Sequence, residues 1–439
     1  MIASVGRMMR KGGGGLSWPA GMKEHIKAIY DPKKQGMTNY DVIEAYTEDF
    51  KKWNKVPEKY TGSLTSNSLA LTNVSQKSAL IYSSIKPYDF KVLIRGLQEG
   101  QHIKFGFDYG ETILEADKDG VYTIEWKDGL ISYGIYTNFI GECNITITQL
   151  PTSILKDFSG NGNHAYLYGG KGKLNSGMGL YKVDFTSWRK SSVQTEVKPD
   201  VVKVTPNTSN YLFIQYANSA EIPSYKIKVI GLGDNVLKYQ YATENGRKEI
   251  NIVEGENELP TSIKVSNDYQ IGYRLTPGTS VFTITQIPDY PDQLCYDGKM
   301  YAVCYGFPIL TDYTVMAERT WFERQNRTCF LSKITTSGTG AFGFEFYNEY
   351  NEDTTYSFGR VNNVEQFKDG ITYQITNSYN GIVKLDYVVN GKDNAELYIG
   401  KLRPSERPAF IGCHGAIIVA DRSFTEEEIN WLKDNLFRK

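Results

Sequence analysis

The residues of this chain best placed to do chemistry lie in one short loop, DFSGNGNH (157–164). Asp157, Ser159, Asn161 and Asn163 carry oxygen-bearing side chains at alternate positions, the spacing with which calcium loops gather hard ligands. The later acid that an EF-hand requires is missing from the sequence that follows. The same residue types also build tight bends, and Asn161-Gly162 tolerates positive φ at both positions. The sequence therefore predicts a structural turn at 157–163, with a calcium loop as the alternative.

Other motifs fare less well against the chemistry they would have to perform. GTGAFG (338–343) matches G-x-G-x-x-G, but that motif holds phosphate only where it opens a helix. Here it runs into FGFEFYNEY, whose alternation predicts a strand. GGKGKLNSG (169–177) is not G-x-x-x-x-G-K-[ST], and no G-x-S-x-G elbow occurs. The four histidines, His25, His102, His164 and His414, show no metal-ligand spacing, and His164 reads as a solvated loop residue. Glu345 and Glu349 fall on one strand face, four residues apart. That is farther than the roughly 5 to 9.5 Å a glycosidase pair needs if the strand is extended. We therefore expect no enzyme, no catalytic residues, no resident metal and no cofactor.

Composition sets the frame for these residues. The chain has 439 residues, 40% of them hydrophobic and 23% charged, with a net charge of −1. Its length allows two to four domains, and its neutrality gives no general attraction to nucleic acid or acidic membranes. The 32 Tyr and 20 Phe suit pleated, half-buried surfaces, or a surface that stacks sugars. Five scattered cysteines without a CxxC pair imply neither a zinc knuckle nor a dense disulfide framework, and fit folding in a reducing cytoplasm. No run approaches the roughly 18 apolar residues of a membrane span. The start lacks a secretory h-region, so work outside a cell would require release by another route.

Four parts follow from patterning. Residues 1–60 form a basic, partly helical anchoring segment, whose stretch 1–34, with seven Lys or Arg against two acids, is expected to order only against a partner. Within it, MTNYDVIEAYTEDFKKW predicts a helix with Ile43, Tyr46, Phe50 and Trp53 on one face. From about 62 the chain alternates with period two, the mark of antiparallel strands. YDFKVLIRGL (88–97) and NITITQLP (144–151) recur as YKIKVIGL (225–232) and VFTITQIP (281–288), an offset of 137 residues. One β-module is therefore present twice, as small sandwiches over 62–152 and 193–290. A final helix is predicted in DRSFTEEEINWLKDNLFRK, capped by Ser423 with Glu426 or Thr425 with Glu428, and buried along Ile429, Leu432 and Leu436.

LKDFSGNGNHAYLYG resembles the first-strand region of concanavalin-type, laminin-G-like jelly rolls. CYDGKMYAVC (295–304), FPILTDYTVMAERTWF and VADRSFTEEEINWLKDNL are similar to later strands and the closing helix of that family. The resemblance covers 153–192 and 292–439, with the second module inserted between. Where the family carries D-D-Y, this chain has Lys299-Met300-Tyr301, so the resemblance implies no acid-dependent site there. The layout, with IKAIYDPKKQGMTNYDVIEAY and the repeated ITITQ modules, also resembles structural proteins of tailed phages of gut Bacteroides, including crAss-like phages. That resemblance implies a virion protein, a head or tail fibre or decoration, that forms a homotrimer. It would dock on capsid or tail proteins through 1–60, and lysis would release it.

The expected fold is mainly β: two repeated β-sandwich modules, a split jelly roll, a short helical N-terminal anchor and a C-terminal helix. The expected work is attachment to host surface polysaccharide, against the alternatives of a purely structural decoration or a polysaccharide-degrading enzyme. Trp321, Tyr347, Asn348 and Tyr350 are the candidate ligand-binding residues, aromatic faces with an amide neighbour; packing against sheet neighbours is the other reading of them. No nucleic-acid partner and no membrane insertion are expected.

Overall fold

The computed structural model describes residues 18–106, 111–128, 132–171, 175–190, 194–206, 214–216, 221–264, 271–308, 310, 314–323, 329–334, 343–347, 363–366, 372–377, 396–401 and 410–437. The chain is mainly β, with antiparallel pairing throughout the named strands. Period-two patterning is the cause, since strict alternation along Tyr225–Ile230 buries Tyr225, Ile227 and Val229 on one face and leaves Lys226, Lys228 and Ile230 outside.

The two repeated units are each a pair of five-stranded sheets. In the first unit, one sheet runs Asn54–Lys55, Ala79–Ser83, Tyr133–Thr137, Ile103–Gly106, Thr112–Ala116, and the other runs Tyr60–Leu64, Ser68–Val74, Gly141–Gln149, Phe90–Arg95, Gly120–Ile124. The second unit repeats both orders strand for strand between Arg189–Lys190 and Phe282–Ile287. Each closes over its own apolar core.

The expected helix over 37–53 is absent. Instead Asn39–Asp41 and Phe50–Lys52 are single 3₁₀ turns with irregular, non-helical chain between them. Phe50 and Trp53 are buried in the first module, whereas Ile43 is 40% exposed. The physical reason lies in the repeat. Asp49 caps the turn through the Lys51 N–H, and Asp184 caps Phe185–Ser187 through the Thr186 N–H. Each turn ends in a buried tryptophan set edge-on to its phenylalanine, at 5.4 Å for Phe50–Trp53 and 5.6 Å for Phe185–Trp188. D-F-x-x-W is the first turn of each module, so the modules start ahead of residues 62 and 193. Their aromatic spacing of three belongs to one tight turn and not to a helical stripe.

Two further latches recur. The glutamine of ITITQ is buried in both copies and ties the last strand to the entry turn. Gln149 Oε1 accepts from the Glu48 N–H at 3.0 Å and its amide donates to the Glu48 carbonyl at 3.2 Å. Gln286 does the same with Lys182 and Val183. The Gly-Leu after the Phe90–Arg95 strand donates two N–H groups to Asp119, at 3.0 and 2.9 Å. Its counterpart Gly231-Leu232 donates to Glu254, at 2.9 and 2.7 Å. Glycine is required here because φ is +88° at Gly96 and +84° at Gly231, and a Cβ at Gly96 would meet the Asn144 carbonyl at 1.9 Å.

The remaining strands form one body. A seven-stranded sheet is ordered Gly177–Leu180, Asp289–Asp297, Ile411–Ala420, Thr314–Glu323, Thr372–Asn377, Asn363–Gln366, with Ile26–Tyr30 also pairing to Ile411–Ala420. A six-stranded sheet is ordered Ile154–Leu155, Ala165–Tyr168, Tyr301–Cys304, Leu397–Ile399, Cys329–Ile334, Gly343–Tyr347. One apolar core holds Leu155, Leu167, Leu294, Phe330, Phe410 and Ile417, drawn from both sheets. The two-layer, jelly-roll-like arrangement thus closes from segments far apart in sequence.

The N-terminal segment does not stand off as a separate arm within its described residues. Ile26–Tyr30 is a strand of the large sheet, and Met22, Ile26 and Ile29 join Ile418, Ile429 and Leu432 in a second core on that sheet's outer side. The C-terminal helix Glu426–Asn435 covers this core and begins at the Thr425/Glu428 capping box, with Arg422 bidentate on Glu428 at 2.9 and 2.5 Å. Because a sheet strand precedes the first module, both modules are insertions into one body.

If the buried glutamines are latches, Gln149→Ala and Gln286→Ala should each cost about 1 to 3 kcal/mol through orphaned backbone groups. Hydrogen exchange should show lost protection confined to the module that carries the change; protection lost equally in both modules would contradict the assignment.

Candidate functional site

The six-stranded sheet presents a tyrosine-rich outer face. Along AYLY the inward residues are Ala165 and Leu167, and along YAVC they are Ala302 and Cys304, all within the core. Strand alternation then sends Tyr166, Tyr168 and Tyr301 outward, with Tyr398 between core residues Leu397 and Ile399 on the next strand. Register places Tyr168 directly opposite Tyr301, and their rings stack at 5.2 Å and 15°. The Tyr168 and Tyr305 hydroxyls are 2.9 Å apart, and Tyr305 lies 6.1 Å from the Tyr166 ring.

Charged side chains rim this face from three parts of the chain. Lys401 Nζ sits 4.5 Å from the Tyr301 ring centre and Lys91 Nζ 6.0 Å from that of Tyr166. Glu44 accepts the Gly169 N–H at 2.6 Å and the Tyr46 hydroxyl at 2.5 Å. Arg95 of the first module pairs with Glu396. Burial pushes the Tyr166 and Tyr305 phenols up to about 12, and raises Tyr168 and Tyr398 further. All four stay neutral at physiological pH. Tyr166 and Tyr398 are buried, so the half-buried Tyr168 and Tyr305 are the two that offer ring and hydroxyl, the chemistry of holding a polyol; as phenolate nucleophiles or bases all four would be ineffective.

Of the residues expected to bind ligand, Trp321 is the one whose side chain is described, and it belongs to the seven-stranded sheet and not to that face. Trp321 is half-buried against the main core, edge-on to Phe410 at 4.6 Å with the Arg319 guanidinium 5.4 Å from its ring. Its Nε1–H is buried without a hydrogen-bond partner among the described residues. Tyr347 ends the strand Gly343–Tyr347, opposite Cys329; its side chain, with Asn348 and Tyr350, lies outside the described residues. So do Glu349, the Glu345 side chain and all of GTGAFG but its last glycine, which opens that strand and no helix.

The 157–163 loop is a clasp for the N-terminal strand. Asp157 Oδ1 accepts the N–H groups of Ile29 and Ser159 at 3.0 and 2.8 Å. Its Oδ2 accepts the Ser159 hydroxyl and the Asn163 N–H at 2.7 and 3.0 Å. The Asn161 and Asn163 amides donate to the Ile26 and Lys27 carbonyls, each at 2.7 Å, and the Tyr30 hydroxyl donates to the Asn163 carbonyl at 2.7 Å. With four donors the carboxylate's acceptor capacity is filled. The structural turn is the reading this geometry supports. His164 takes part: its Nδ1 accepts the Asp157 N–H at 3.0 Å, and burial lowers its pKa.

Near the centre of the large sheet, His414 is fully buried, with Nε2 2.9 Å from the Tyr296 hydroxyl and Nδ1 2.7 Å from the Gly415 carbonyl. Burial lowers its pKa to about 4. The tyrosine face was missed from sequence; the signal was the alternation in AYLY and YAVCY, which two distant strands must juxtapose before it reads as a surface. No protein-family model matches the chain, and no curated protein matches it.

Two outcomes test this geometry. Asp157→Ala removes the acceptor for the Ile29 N–H, so limited proteolysis should release the 26–30 region at least tenfold faster while the modules stay protected. His414 must be neutral when folded, whereas an unfolded histidine takes a proton near pH 6.5. Its stabilisation is therefore present above 6.5 and lost as pH falls towards 4, by about 2 kcal/mol at pH 5. Unfolding of wild type and His414→Gln at pH 7 and pH 5 should show the smaller pH effect in the variant.

Proposed function

We propose that the chain is a structural attachment protein of a virion, with its jelly-roll body displayed to hold host surface polysaccharide and its two modules acting as spacers. The observation that carries this reading is the tyrosine face, with stacked Tyr168 and Tyr301, neutral hydroxyls and a rim of Lys91, Lys401 and Glu44. Pyranose rings have apolar C–H faces that stack on such rings and hydroxyls that such a rim can bond. The modules support the spacer role, because their repeated residues are spent on closing each unit: the glutamine latches and the Asp119 and Glu254 carboxylates all bind backbone.

Docking on the particle falls in this reading to residues 1–17, which carry Arg7, Arg10 and Lys11 and no acid, because the segment from Trp18 onward is packed on its own chain. A second copy and a third would complete a fibre or decoration. Arg95–Glu396, which sets the first module beside the tyrosine face, favours a second reading, a decoration in which that face serves only to seat the module.

Binding of capsular polysaccharide fragments to the full chain separates the two. Attachment predicts measurable affinity that falls at least tenfold, about 1.4 kcal/mol, in Tyr301→Ala, with no shortening of the polysaccharide on chromatography. Affinity absent in wild type would leave the decoration reading. Imaging of the intact particle with this chain located would test both, since absence from the virion would overturn them together.

A further inference from the structure

Cys295 lies in the Asp289–Asp297 strand that brings the chain back from the second module, and Cys413 lies in the central Ile411–Ala420 strand. Register sets them directly opposite one another, between the pairs Leu294↔His414 and Tyr296↔Gly412. Opposed residues of antiparallel strands share a face and hold their Cα atoms about 4.5 to 5.5 Å apart. That lies within the roughly 4.4 to 6.8 Å over which a disulfide closes. Both side chains are wholly buried, and both are free thiols.

Their surroundings are fixed. Cys413 Sγ donates to Gln293 Oε1 at 2.8 Å, and the Gln293 amide donates to Glu318 at 3.0 Å. Burial first, and then the hydrogen bond with the Cys295 thiol, hold Cys413 well above the ordinary thiol range. The Cys413 thiolate is therefore scarce while the sheet is closed. Cys304 and Cys329 face Leu397 and Tyr347 in register, and Cys143 belongs to the first module. Only one cross-strand pair of cysteines exists among the described strands.

We propose that Cys295 and Cys413 are a latent disulfide, kept reduced as the chain folds and closed when it meets a low-molecular-weight disulfide such as oxidised glutathione. One thiolate attacks the small disulfide, forming a mixed disulfide and releasing one small thiol. The second thiolate then displaces the other small thiol as the protein S–S bond forms. The protein gives up two hydrogens and two electrons, and the small disulfide takes both. The bond joins the strand that re-enters the split body to its central strand, and so locks the closure on which the jelly roll depends.

The test uses the full chain, refolded from guanidinium in a glutathione redox buffer so that burial does not limit access, and in parallel the folded chain with oxidised glutathione. The expected product is lighter by about 2 Da, the two hydrogens lost in thiol–disulfide exchange. Peptide mapping should link Cys295 to Cys413, and the apparent melting temperature should rise by several degrees. The reaction on folded chain should be at least tenfold slower. Cys295→Ala and Cys413→Ala should each abolish the mass change, and Cys143→Ala should keep it. Five titratable thiols surviving the refolding arm, a link to any other cysteine, or a bond without a change in melting would overturn the proposal.

Discussion

The body of this protein depends on one strand, Ile411–Ala420, and on its pairing with segments that the chain delivers from very different places. On one side it holds Ile26–Tyr30 and Asp289–Asp297 end to end, and on the other Thr314–Glu323. Its two faces feed two cores, Ile417 and Val419 towards the second sheet and Ile418 and Ala420 towards the C-terminal helix. Each pairing is non-local, so its loop-closure entropy must be met before any core forms. Nothing in the body can be complete until the C-terminal strand arrives.

That constraint explains how two whole modules can be carried inside it. An insertion costs little when its ends leave the host side by side. The first module departs after Ile43 and Ala45 and returns at Thr152 and Ser153, where the Thr152 N–H donates to the Ala45 carbonyl at 2.9 Å and the Ser153 hydroxyl to the Ile43 carbonyl at 2.6 Å. The second departs from Gly177–Leu180 and returns in Asp289–Asp297, its immediate sheet neighbour, with Lys182 and Asp289 paired at 2.7 Å. In both, the buried glutamine closes the unit just inside the neck. Duplication copied the latch with the fold, and the swap of Asp119 for Glu254 shows that the carboxylate matters more than its reach.

Much of this was legible in the sequence because it rests on local pattern. Period-two runs gave the strands, the ITITQ recurrence gave the duplication, and the acids and lysines of the last helix gave its polarity and cap. The N-terminal strand was not legible, since IKAIY alternates poorly and is apolar on both sides, as a strand between two cores must be. The false helix over 37–53 arose because spacings of three and four fit one tight turn plus an irregular run as well as a helix. The tyrosine face needed two strands more than a hundred residues apart to be set in register, which no window of sequence can show. The cysteine pair was hidden for the same reason.

Asp157, which first drew attention as chemistry, shares one physical job with carboxylates elsewhere in the fold. A carboxylate among backbone N–H groups that lack sheet partners satisfies several of them at once. Asp157 does this for the N-terminal strand, and Asp119 and Glu254 for the module turns. Asp234 does it for Thr279 and Ser280, whose hydrogen bonds, the Ser280 hydroxyl first, lower its pKa to about 2. Loops dense in Asp, Ser, Asn and Gly therefore mark where an all-β chain must turn and anchor. Surfaces free to meet a ligand have to be sought where alternation leaves aromatic rings outside and no backbone group claims their hydroxyls.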